Sequence, residues 1–243
     1  MSSKTSPQIY TAHENLEMMK HTMPRYNDWI FSCLEPHLGQ SILEAGCGVG
    51  TFTQRLLQHG KVLAVDIDPA YVESAKTELG RHDGLATDSL SIDDPKLMNH
   101  KSRQFDTIVC LNVLEHVRED LATLRQFHEL LVPGGKAILQ VPAFQWLYGT
   151  VDETSGHYRR YTKKELGLKL AQTGFEIVDL YYLNIMGMFQ WFFWGKVLKI
   201  QVQSSSEMSF MDRFVPLLRW TESCLRPPMG ISVIAVGRKK ASP

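Results

Sequence analysis

The sequence predicts a Rossmann-like α/β fold, and two observations support this prediction. Short apolar runs typical of strands alternate along the 243 residues with amphipathic segments of helical period. Such alternation indicates a mostly parallel sheet that is covered by helices on both faces. In addition, a glycine-rich turn, Gly46-Cys47-Gly48-Val49-Gly50, joins the first apolar run to a helical segment. Because ligands bind outside the carboxyl ends of the strands in such sheets, we expect the functional residues at that edge.

Turn-forming residues set the expected boundaries of the helices and strands. Pro69 follows Asp68 at the start of one helix and Gly80 follows its end, while Pro133-Gly134-Gly135 is expected to end another helix. The helices are expected at 14–38, with a break at Pro24, and at 51–59, 69–79, 120–131 and 163–172. The candidate strands are 41–45, 62–66, 84–87, 105–111, 137–141, 175–183 and 231–237.

Composition narrows the class of protein. Lysine and arginine together number 26, as do aspartate and glutamate, so the basic excess expected of a nucleic-acid-binding protein is missing. The four cysteines are scattered, without the Cys/His spacing of a zinc site, so we expect no bound metal and no effect of chelation on turnover. The N-terminus lacks a secretory signal and no run reaches 18 apolar residues, which predicts a soluble cytoplasmic protein.

Three acidic residues accompany the glycine turn, each at the end of a candidate strand: Glu44, Asp66 and Asp88. Glycine lets the chain approach a ligand closely, although three glycines would also suit an ordinary tight turn. A dinucleotide site has the spacing G-x-G-x-x-G, whereas Thr51 stands here where that pattern has its third glycine. A carboxylate at Glu44 repels a pyrophosphate and attracts an amino group, and one at Asp66 can accept both hydroxyls of a ribose.

The segments around these residues resemble, in order, the motifs of the class I S-adenosylmethionine (SAM)-dependent methyltransferases, especially the bacterial small-molecule enzymes. The resemblance covers about residues 26–183 and is carried by ILEAGCGVGTFT, VLAVDID, LATDSL, FDTIVCLNVLEHVRED and LVPGGKAILQVP. It implies a seven-stranded sheet whose last strand runs antiparallel to the others, and SAM as the cofactor. The segment DETSGHYRRYT also resembles a subgroup whose members often act in saccharide, lipid or natural-product pathways.

The resemblance also assigns residues to the cofactor. It implies that Glu44, Gly46 and Gly48 surround the methionine moiety, and that Asp66 binds the ribose. Asp88 is then expected on the adenine amino group, with Asn112 below the sulfonium. The full set of expected cofactor residues is Glu44, Gly46, Cys47, Gly48, Gly50, Asp66, Ile67, Asp88, Ser89 and Asn112.

Methyl transfer requires mainly alignment of the acceptor and exclusion of water, and a hydroxyl acceptor also benefits from a base. The candidates for such a role are His157, His116 and Tyr161. The two histidines have structural alternatives, in which His116 braces its loop and His157 packs or forms hydrogen bonds within its own loop. The candidates for acceptor binding are Tyr158, Arg159, Arg160, Trp191 and Trp194, where the arginines suit an anionic group. The aromatic run 189–194 could line an acceptor pocket, and the alternatives for it are core packing, a membrane surface or a dimer face.

We expect a SAM-dependent methyltransferase that acts on a small or lipid-like acceptor, with oxygen favoured over nitrogen or carbon as the methylated atom. The alternatives are an NAD(P)-dependent oxidoreductase, which the glycine spacing disfavours, and a non-catalytic SAM-binding scaffold, which the intact acidic residues disfavour. Peripheral membrane contact stays open, and the sequence predicts no oligomeric state. The chain is expected to form one domain, with cap helices at 14–38, a cofactor-binding core at 41–183, an acceptor lid at 184–228 and a last strand at 231–238.

Overall fold

The computed structural model describes residues 12–193 and 205–241. A seven-stranded sheet in the order β3-β2-β1-β4-β5-β7-β6 forms the centre of this part of the chain. β7 runs antiparallel to both of its neighbours, β5 and β6, while the pairs among β1 to β5 are parallel. The predicted Rossmann-like sheet and its antiparallel last strand are thus confirmed. The strands are β1 Ser41–Ala45, β2 Lys61–Asp66, β3 Leu85–Ser89, β4 Phe105–Leu111, β5 Leu131–Pro142, β6 Phe175–Leu183 and β7 Ser232–Lys239.

Helices cover both faces of this sheet. Side chains alternate along β1, so that Ile42 packs into a core with the helices on one face and Leu43 into a core with those on the other. Leu34, Leu56 and Val72 belong to the first core, which is formed by α2, α3 and α4. The helices are α1 Ala12–Thr22, α2 Pro24–Leu34, α3 Thr53–Leu56, α4 Pro69–Leu79, α5 Asp120–Leu130, α6 Thr150–Thr154, α7 Lys163–Gln172, α8 Ile185–Trp191, α9 Ser205–Asp212 and α10 Val215–Leu225.

Two boundary predictions were wrong, each for a local reason. The helix after the glycine turn is only α3, because the backbone N–H groups of Gln58 and His59 donate to carbonyl oxygens three residues earlier, those of Arg55 and Leu56, and so form tighter turns that do not continue the α-helix. The run Pro133-Gly134-Gly135 does not end a helix but lies inside β5, which already begins at Leu131. The β4–β5 register shifts between Phe105 and Thr107, and this irregularity accommodates the proline and glycines within the strand.

The segment between β6 and β7 leaves and re-enters the sheet at one point. Leu183 at the end of β6 pairs with Ser232 at the start of β7, on the edge where the parallel strands have their carboxyl ends. The carboxylate of Asp212 accepts hydrogen bonds from the backbone N–H groups of Arg25 and Tyr26 at the start of α2. The segment therefore packs on the N-terminal helices. Within the described ranges, no helix has the length and apolar character needed to cross a membrane.

Candidate functional site

The glycine turn after β1 adopts a conformation that depends on glycine. Gly46, Gly48 and Gly50 have φ values of +90°, +49° and +75°. A Cβ atom at Gly46 would lie 2.2 Å from Cγ2 of Val113, so the turn packs directly against the loop after β4. The backbone N–H groups of Gly46 and Cys47 donate to the carbonyl oxygen of Val65 at 2.8 and 2.9 Å. The turn is thus fixed between the ends of three strands, with Cys47 buried beneath it.

Asp66 connects the glycine turn to the end of β2. Its Oδ2 atom accepts the backbone N–H of Gly48 at 2.9 Å, and its Oδ1 atom accepts that of Asp68 at 3.1 Å. Burial raises the pKa of this carboxyl above its usual range, against the effect of these two hydrogen bonds. Each carboxylate oxygen can accept more than one hydrogen bond, so Asp66 retains acceptor capacity for a diol.

Glu44 lies beneath the turn and is almost fully buried. Its Oε2 atom accepts a hydrogen bond of 2.6 Å from Oγ1 of Thr53. Burial raises the pKa of Glu44 to about 8, and the charge of nearby Asp66 raises it further while the Thr53 hydroxyl lowers it. An ammonium group of a ligand would favour the ionised form of this carboxyl. The close-approach glycines, the diol acceptor and this buried acid together suit an amino-acid-bearing nucleoside such as SAM.

The remaining predicted cofactor residues lie at the ends of β2, β3 and β4. Ile67 is 72% exposed, an unusual position for an isoleucine that suits contact with a flat apolar ligand. Asn112 follows β4 with a φ of +54°, and its backbone N–H donates to the carbonyl oxygen of Gln140. Ser89 ends β3 and pairs with Asp66 in the sheet register. Asp88 already has a partner, since its Oδ2 lies 2.8 Å from Nε2 of His100.

Sequence reasoning missed the contacts made by α1. Nζ of Lys20 donates to the carbonyl oxygen of Val49 at 2.9 Å. Cδ1 of Leu16 would lie 3.5 Å from a Cβ atom at Gly48. The helical period of 14–38 predicted a helix here, but only the folded chain shows that this helix covers the glycine turn.

Two predicted catalytic residues, His116 and His157, lie side by side. Their ring centroids are 4.6 Å apart and their planes meet at 86°. Burial lowers the pKa of His116 to about 4, and the neighbouring His157 contributes to this shift, so the His116 imidazole is neutral at pH 7. Nδ1 of His157 lies 2.8 Å from Oδ1 of Asp152. Because a carboxylate only accepts hydrogen bonds, Nδ1 of His157 carries the proton and Nε2 faces away from Asp152.

Glu115 adds a third group to the histidine pair. Its side chain is fully buried, and neither carboxylate oxygen has a hydrogen-bond partner among the described residues. Burial raises its pKa to about 8. One ligand atom each from Glu115, His116 and His157 lie within 4.8 Å of one another. The prediction of no metal site rested on spacing along the chain, which cannot show that a turn after β4 and a loop after β5 meet here.

A buried network connects this cluster to α8. Oδ1 of Asp152 accepts a hydrogen bond of 2.8 Å from Nε of Arg160 as well as the one from His157. The Arg160 guanidinium lies over the ring of Trp191, whose Nε1 donates to the carbonyl oxygen of Leu147. Arg160 was predicted to contact an anionic acceptor, but its guanidinium is paired with the buried carboxylate of Asp152. Trp194, the other predicted tryptophan, lies outside the described residues.

Tyr161 and Arg159 take structural positions. Tyr161 is 1% exposed, and its hydroxyl donates to Oδ2 of Asp120 at 2.9 Å. Burial and the Asp120 charge raise the Tyr161 pKa far above the usual value, so this hydroxyl is unsuited to act as a base. Arg159 donates to the same Asp120 oxygen and to the carbonyl oxygen of Arg118. Tyr158 remains half exposed, with the Arg118 guanidinium 5.3 Å from its ring centroid.

A cavity of about 650 Å³ lies away from all of these residues. It is lined by Gln40, Ser41, His59 and Lys61, at the edge where the parallel strands begin. Ligands bind at the opposite edge in folds of this kind, and that edge carries the glycine turn and the histidine pair. We therefore assign the site to the carboxyl ends of the strands.

Comparison with known proteins agrees with this geometry. Residues 43–137 match the family model described as a methyltransferase domain. The ubiquinone biosynthesis O-methyltransferase of Pseudomonas paraeruginosa is 26% identical over 156 residues, which span 58% of this chain and 67% of the relative. The tRNA U34 carboxymethyltransferase of Klebsiella pneumoniae is 32% identical over 123 residues, which span 47% of this chain and only 36% of the relative.

Among solved structures, the N-methyltransferase NodS from Bradyrhizobium japonicum, in complex with S-adenosyl-L-homocysteine, aligns with a TM-score of 0.56. The alignment covers 94% of this chain and 88% of NodS at 14% sequence identity. At that identity the likeness shows a shared fold, and it extends over both the sheet and the segments around it.

Proposed function

We propose that this chain is a class I SAM-dependent methyltransferase and that it transfers a methyl group from SAM to an oxygen atom of a small or lipid-like acceptor. SAM is its cofactor, and the glycine turn, Glu44 and Asp66 are the residues that we propose hold it. In this arrangement Asp66 accepts the ribose hydroxyls while it also fixes the Gly48 N–H. The exposed Ile67 covers the adenine. Asp88 binds the adenine amino group only if its contact with His100 breaks or if the carboxylate accepts both groups.

The observation that carries the choice of oxygen is the histidine pair next to the cofactor turn. His116 follows Asn112 by four residues, and Asn112 is the residue expected below the sulfonium. An imidazole that is held at Nδ1 by a buried carboxylate, as His157 is by Asp152, can accept the proton of a hydroxyl at Nε2. An amine acceptor needs less help, because a neutral amine is a stronger nucleophile than a neutral hydroxyl, which gains most from losing its proton. The names of several relatives, ubiquinone biosynthesis O-methyltransferases, favour the same atom.

In the proposed reaction an acceptor oxygen attacks the methyl carbon in line with the carbon–sulfur bond. That bond breaks, its electron pair stays on sulfur, and S-adenosylhomocysteine leaves. The hydroxyl proton is lost at the histidine pair and passes to solvent. The protein's part is to align the acceptor, exclude water and activate the hydroxyl at this pair.

An apolar acceptor suits the surface next to the pair. Phe189 and Met186 on α8 are 56% and 48% exposed, and Trp146 lies 5.9 Å from Phe192 between ring centroids. Trp191 joins this surface to the Arg160–Asp152–His157 network. We propose that α8, the first helix of 184–228, forms part of the predicted acceptor lid of one continuous domain. A polyprenyl or long-chain alkyl phenol has the hydroxyl and the apolar tail that such a site fits.

The test is methyl transfer from isotopically labelled SAM to matched acceptors. We expect turnover with a long-chain alkyl catechol, weaker turnover with the unsubstituted catechol, and little with the corresponding alkyl aniline. Transfer to the aniline alone would overturn oxygen as the target atom. Bulk tRNA serves as a further arm because one relative is named a tRNA-modifying enzyme, and transfer to tRNA alone would overturn the small-molecule acceptor. SAM binding without turnover on any acceptor would indicate the non-catalytic scaffold, and binding of NADH instead of SAM the oxidoreductase.

A further inference from the structure

The cluster of Glu115, His116 and His157 has the composition and approach of a metal site. We propose that these three side chains bind a divalent transition-metal ion of the Zn²⁺ class, with at least one coordination position left open toward the acceptor. Nothing in the spacing of the sequence indicated such a site, because His157 comes 41 residues after His116. The inference rests on three separate features of the fold, one for each ligand.

The first feature is the buried, unpartnered carboxylate of Glu115. The side chain is completely covered, yet neither oxygen has a hydrogen bond within the described part of the chain. Buried polar atoms in proteins are nearly always paired, because an unpaired one loses its hydration without compensation. Arg160 is the nearby cation, but its guanidinium is directed to Asp152 and Ala143. A cation between Glu115 and the two imidazoles would supply the missing partner.

The second feature is the way in which His157 is held. Its Nδ1–H donates to Asp152, and Asp152 is itself fixed by Nε of Arg160 and by the backbone N–H of Gly149. This leaves the lone pair of Nε2 directed away from Asp152. A carboxylate that orients one nitrogen of an imidazole so that the other can bind a metal is the usual outer shell of histidine ligands.

The third feature is the position of His116. Its ring lies edge-on against the ring of His157, and one of its nitrogen atoms belongs to the same cluster of ligand atoms as Glu115 and His157. The three ligand atoms lie within 4.8 Å of one another, whereas tetrahedral ligands at about 2.0–2.2 Å from zinc lie about 3.3–3.6 Å apart. Ion binding therefore requires the side chains to move together by about 1 Å. Edge-to-face packing of the two rings would also explain their 86° angle, but it leaves Glu115 without a partner.

The ligand set decides the class of ion. Two imidazole nitrogens and one carboxylate suit Zn²⁺ and its neighbours Fe²⁺, Co²⁺ and Mn²⁺, whereas Mg²⁺ and Ca²⁺ prefer oxygen ligands. Three protein ligands with an open position are the pattern of catalytic rather than structural zinc sites. This step rests on the proposed O-methylation. An acceptor oxygen that bound the dication at its open coordination position would have a lower hydroxyl pKa. The histidine pair would then act as ligands rather than as the base.

Binding is tested without any acceptor. Protein freed of metal with a chelator is titrated with Zn²⁺ by calorimetry, and Co²⁺ serves as a coloured substitute whose absorption reports the ligands. We expect one equivalent of Zn²⁺ to bind, and His157→Gln and His116→Gln to weaken it at least tenfold. Asp152→Asn, which replaces the orienting carboxylate by a neutral amide and keeps all three proposed ligands, should weaken it by about 10–100-fold. His21→Gln, on an exposed part of α1, is the matched control and should bind as the wild type does.

The outcomes separate this inference from the proposed function. Absence of stoichiometric Zn²⁺ binding, or equal binding by wild type and both histidine variants with native circular dichroism, would overturn the metal site. Full turnover of a hydroxyl acceptor by the chelated protein would overturn the role of a metal in activation while the proposed O-methylation stands. Stoichiometric binding with no methylation of any hydroxyl would leave the metal site in place and overturn the proposed function.

Discussion

The guanidinium of Arg160 lies 4.8 Å above the ring of Trp191 and donates from Nε to the buried carboxylate of Asp152. One side chain thus touches both the helix that follows β6 and the residue that orients His157. A cation against an aromatic face in a partly desolvated position contributes about 0.5–2 kcal/mol. The position of α8 and the orientation of the histidine pair are therefore coupled through a single buried arginine.

Trp191→Ala should impair use of the acceptor and leave the cofactor site intact. Loss of the ring removes one wall of the apolar surface and the face on which Arg160 rests. We expect kcat/KM for the acceptor to fall at least tenfold, while SAM affinity changes by less than about threefold, which is well under 1 kcal/mol. Steady-state kinetics and calorimetry measure the two quantities.

The matched control for that variant is Trp220→Ala. Trp220 is 66% exposed on α10 and lies outside the Arg160 network, so both quantities should stay at wild-type values. Equal loss of acceptor turnover in the two tryptophan variants would show a general apolar surface effect. A Trp191→Ala enzyme with unchanged acceptor kinetics would exclude α8 from the lid.

Tyr161→Phe should lower stability without removing catalysis. The Tyr161 hydroxyl donates to Asp120, whose carboxylate also holds Arg159 and Lys169. Loss of this hydrogen bond to a charged group should reduce the free energy of unfolding by about 1.5–3 kcal/mol, as measured by denaturant titration. Turnover per folded molecule should stay within twofold of wild type. A fall in turnover of a hundredfold or more, with an unchanged free energy of unfolding, would show that Tyr161 is a catalytic residue.

The sheet could be predicted closely from the sequence because its strands are buried on both faces. Such strands read as apolar runs, and β1, β4 and β6 have the predicted bounds. Proline and glycine predicted the limits of α4 equally well, since Asp68 accepts the N–H of Ala70 and Gly80 ends the helix with a φ of +62°. Proline and glycine gave a wrong prediction at β5. There the pairing with β4 outweighs the local turn preference of Pro133-Gly134-Gly135.

The candidate site could be predicted only in part, for a different physical reason. The proposed cofactor residues follow individual strands, so their order along the chain already places them at one edge of the sheet. The proximity of Glu115 and His116 to His157 depends on the meeting of two loops that follow different strands, and the order of residues along the chain does not give the distance between those loops. The buried ion pair of Arg160 with Asp152 could not be predicted for the same reason. An arginine in a polar loop is expected to bind an anionic ligand unless the position of its partner in the fold is known.

Asp66→Ala should weaken SAM binding by roughly 2–3 kcal/mol, the range for loss of a charged acceptor. Part of this loss comes from the glycine turn, because Asp66 also accepts the Gly48 N–H. Calorimetry on Asp66→Asn, compared with Asp66→Ala, separates the loss of the ribose contact from the loss of the bond to the turn, since asparagine keeps one oxygen that can accept the Gly48 N–H. Asp93→Asn, at an exposed position after β3, is the control and should bind SAM as the wild type does. Wild-type affinity in Asp66→Ala would remove this residue from the site.

Glu44 should make the ligand-free protein less stable as the pH rises. Its pKa is about 8 in the folded chain, against 4.5 for an ordinary glutamate. The folded state therefore holds a proton that the unfolded state has lost between these values, and stability falls as pH rises through this window. Thr53, Asp66 and Cys47 are the polar and titratable groups that face it, and the Asp66 charge reinforces the shift.

Glu44→Gln isolates this contribution because glutamine can still accept the Thr53 hydroxyl but does not ionise. Below pH 4.5 the two proteins should unfold with similar free energies. Between pH 5 and 9 the variant should become progressively more stable than the wild type, by more than about 1.4 kcal/mol, which corresponds to one pKa unit. Denaturant titrations across this range measure the difference in unfolding free energy between the two proteins at each pH. Groups that titrate alike in both proteins do not contribute to this difference. A constant difference would mean that Glu44 is ionised in the folded chain, and would place a compensating cation or water beside it.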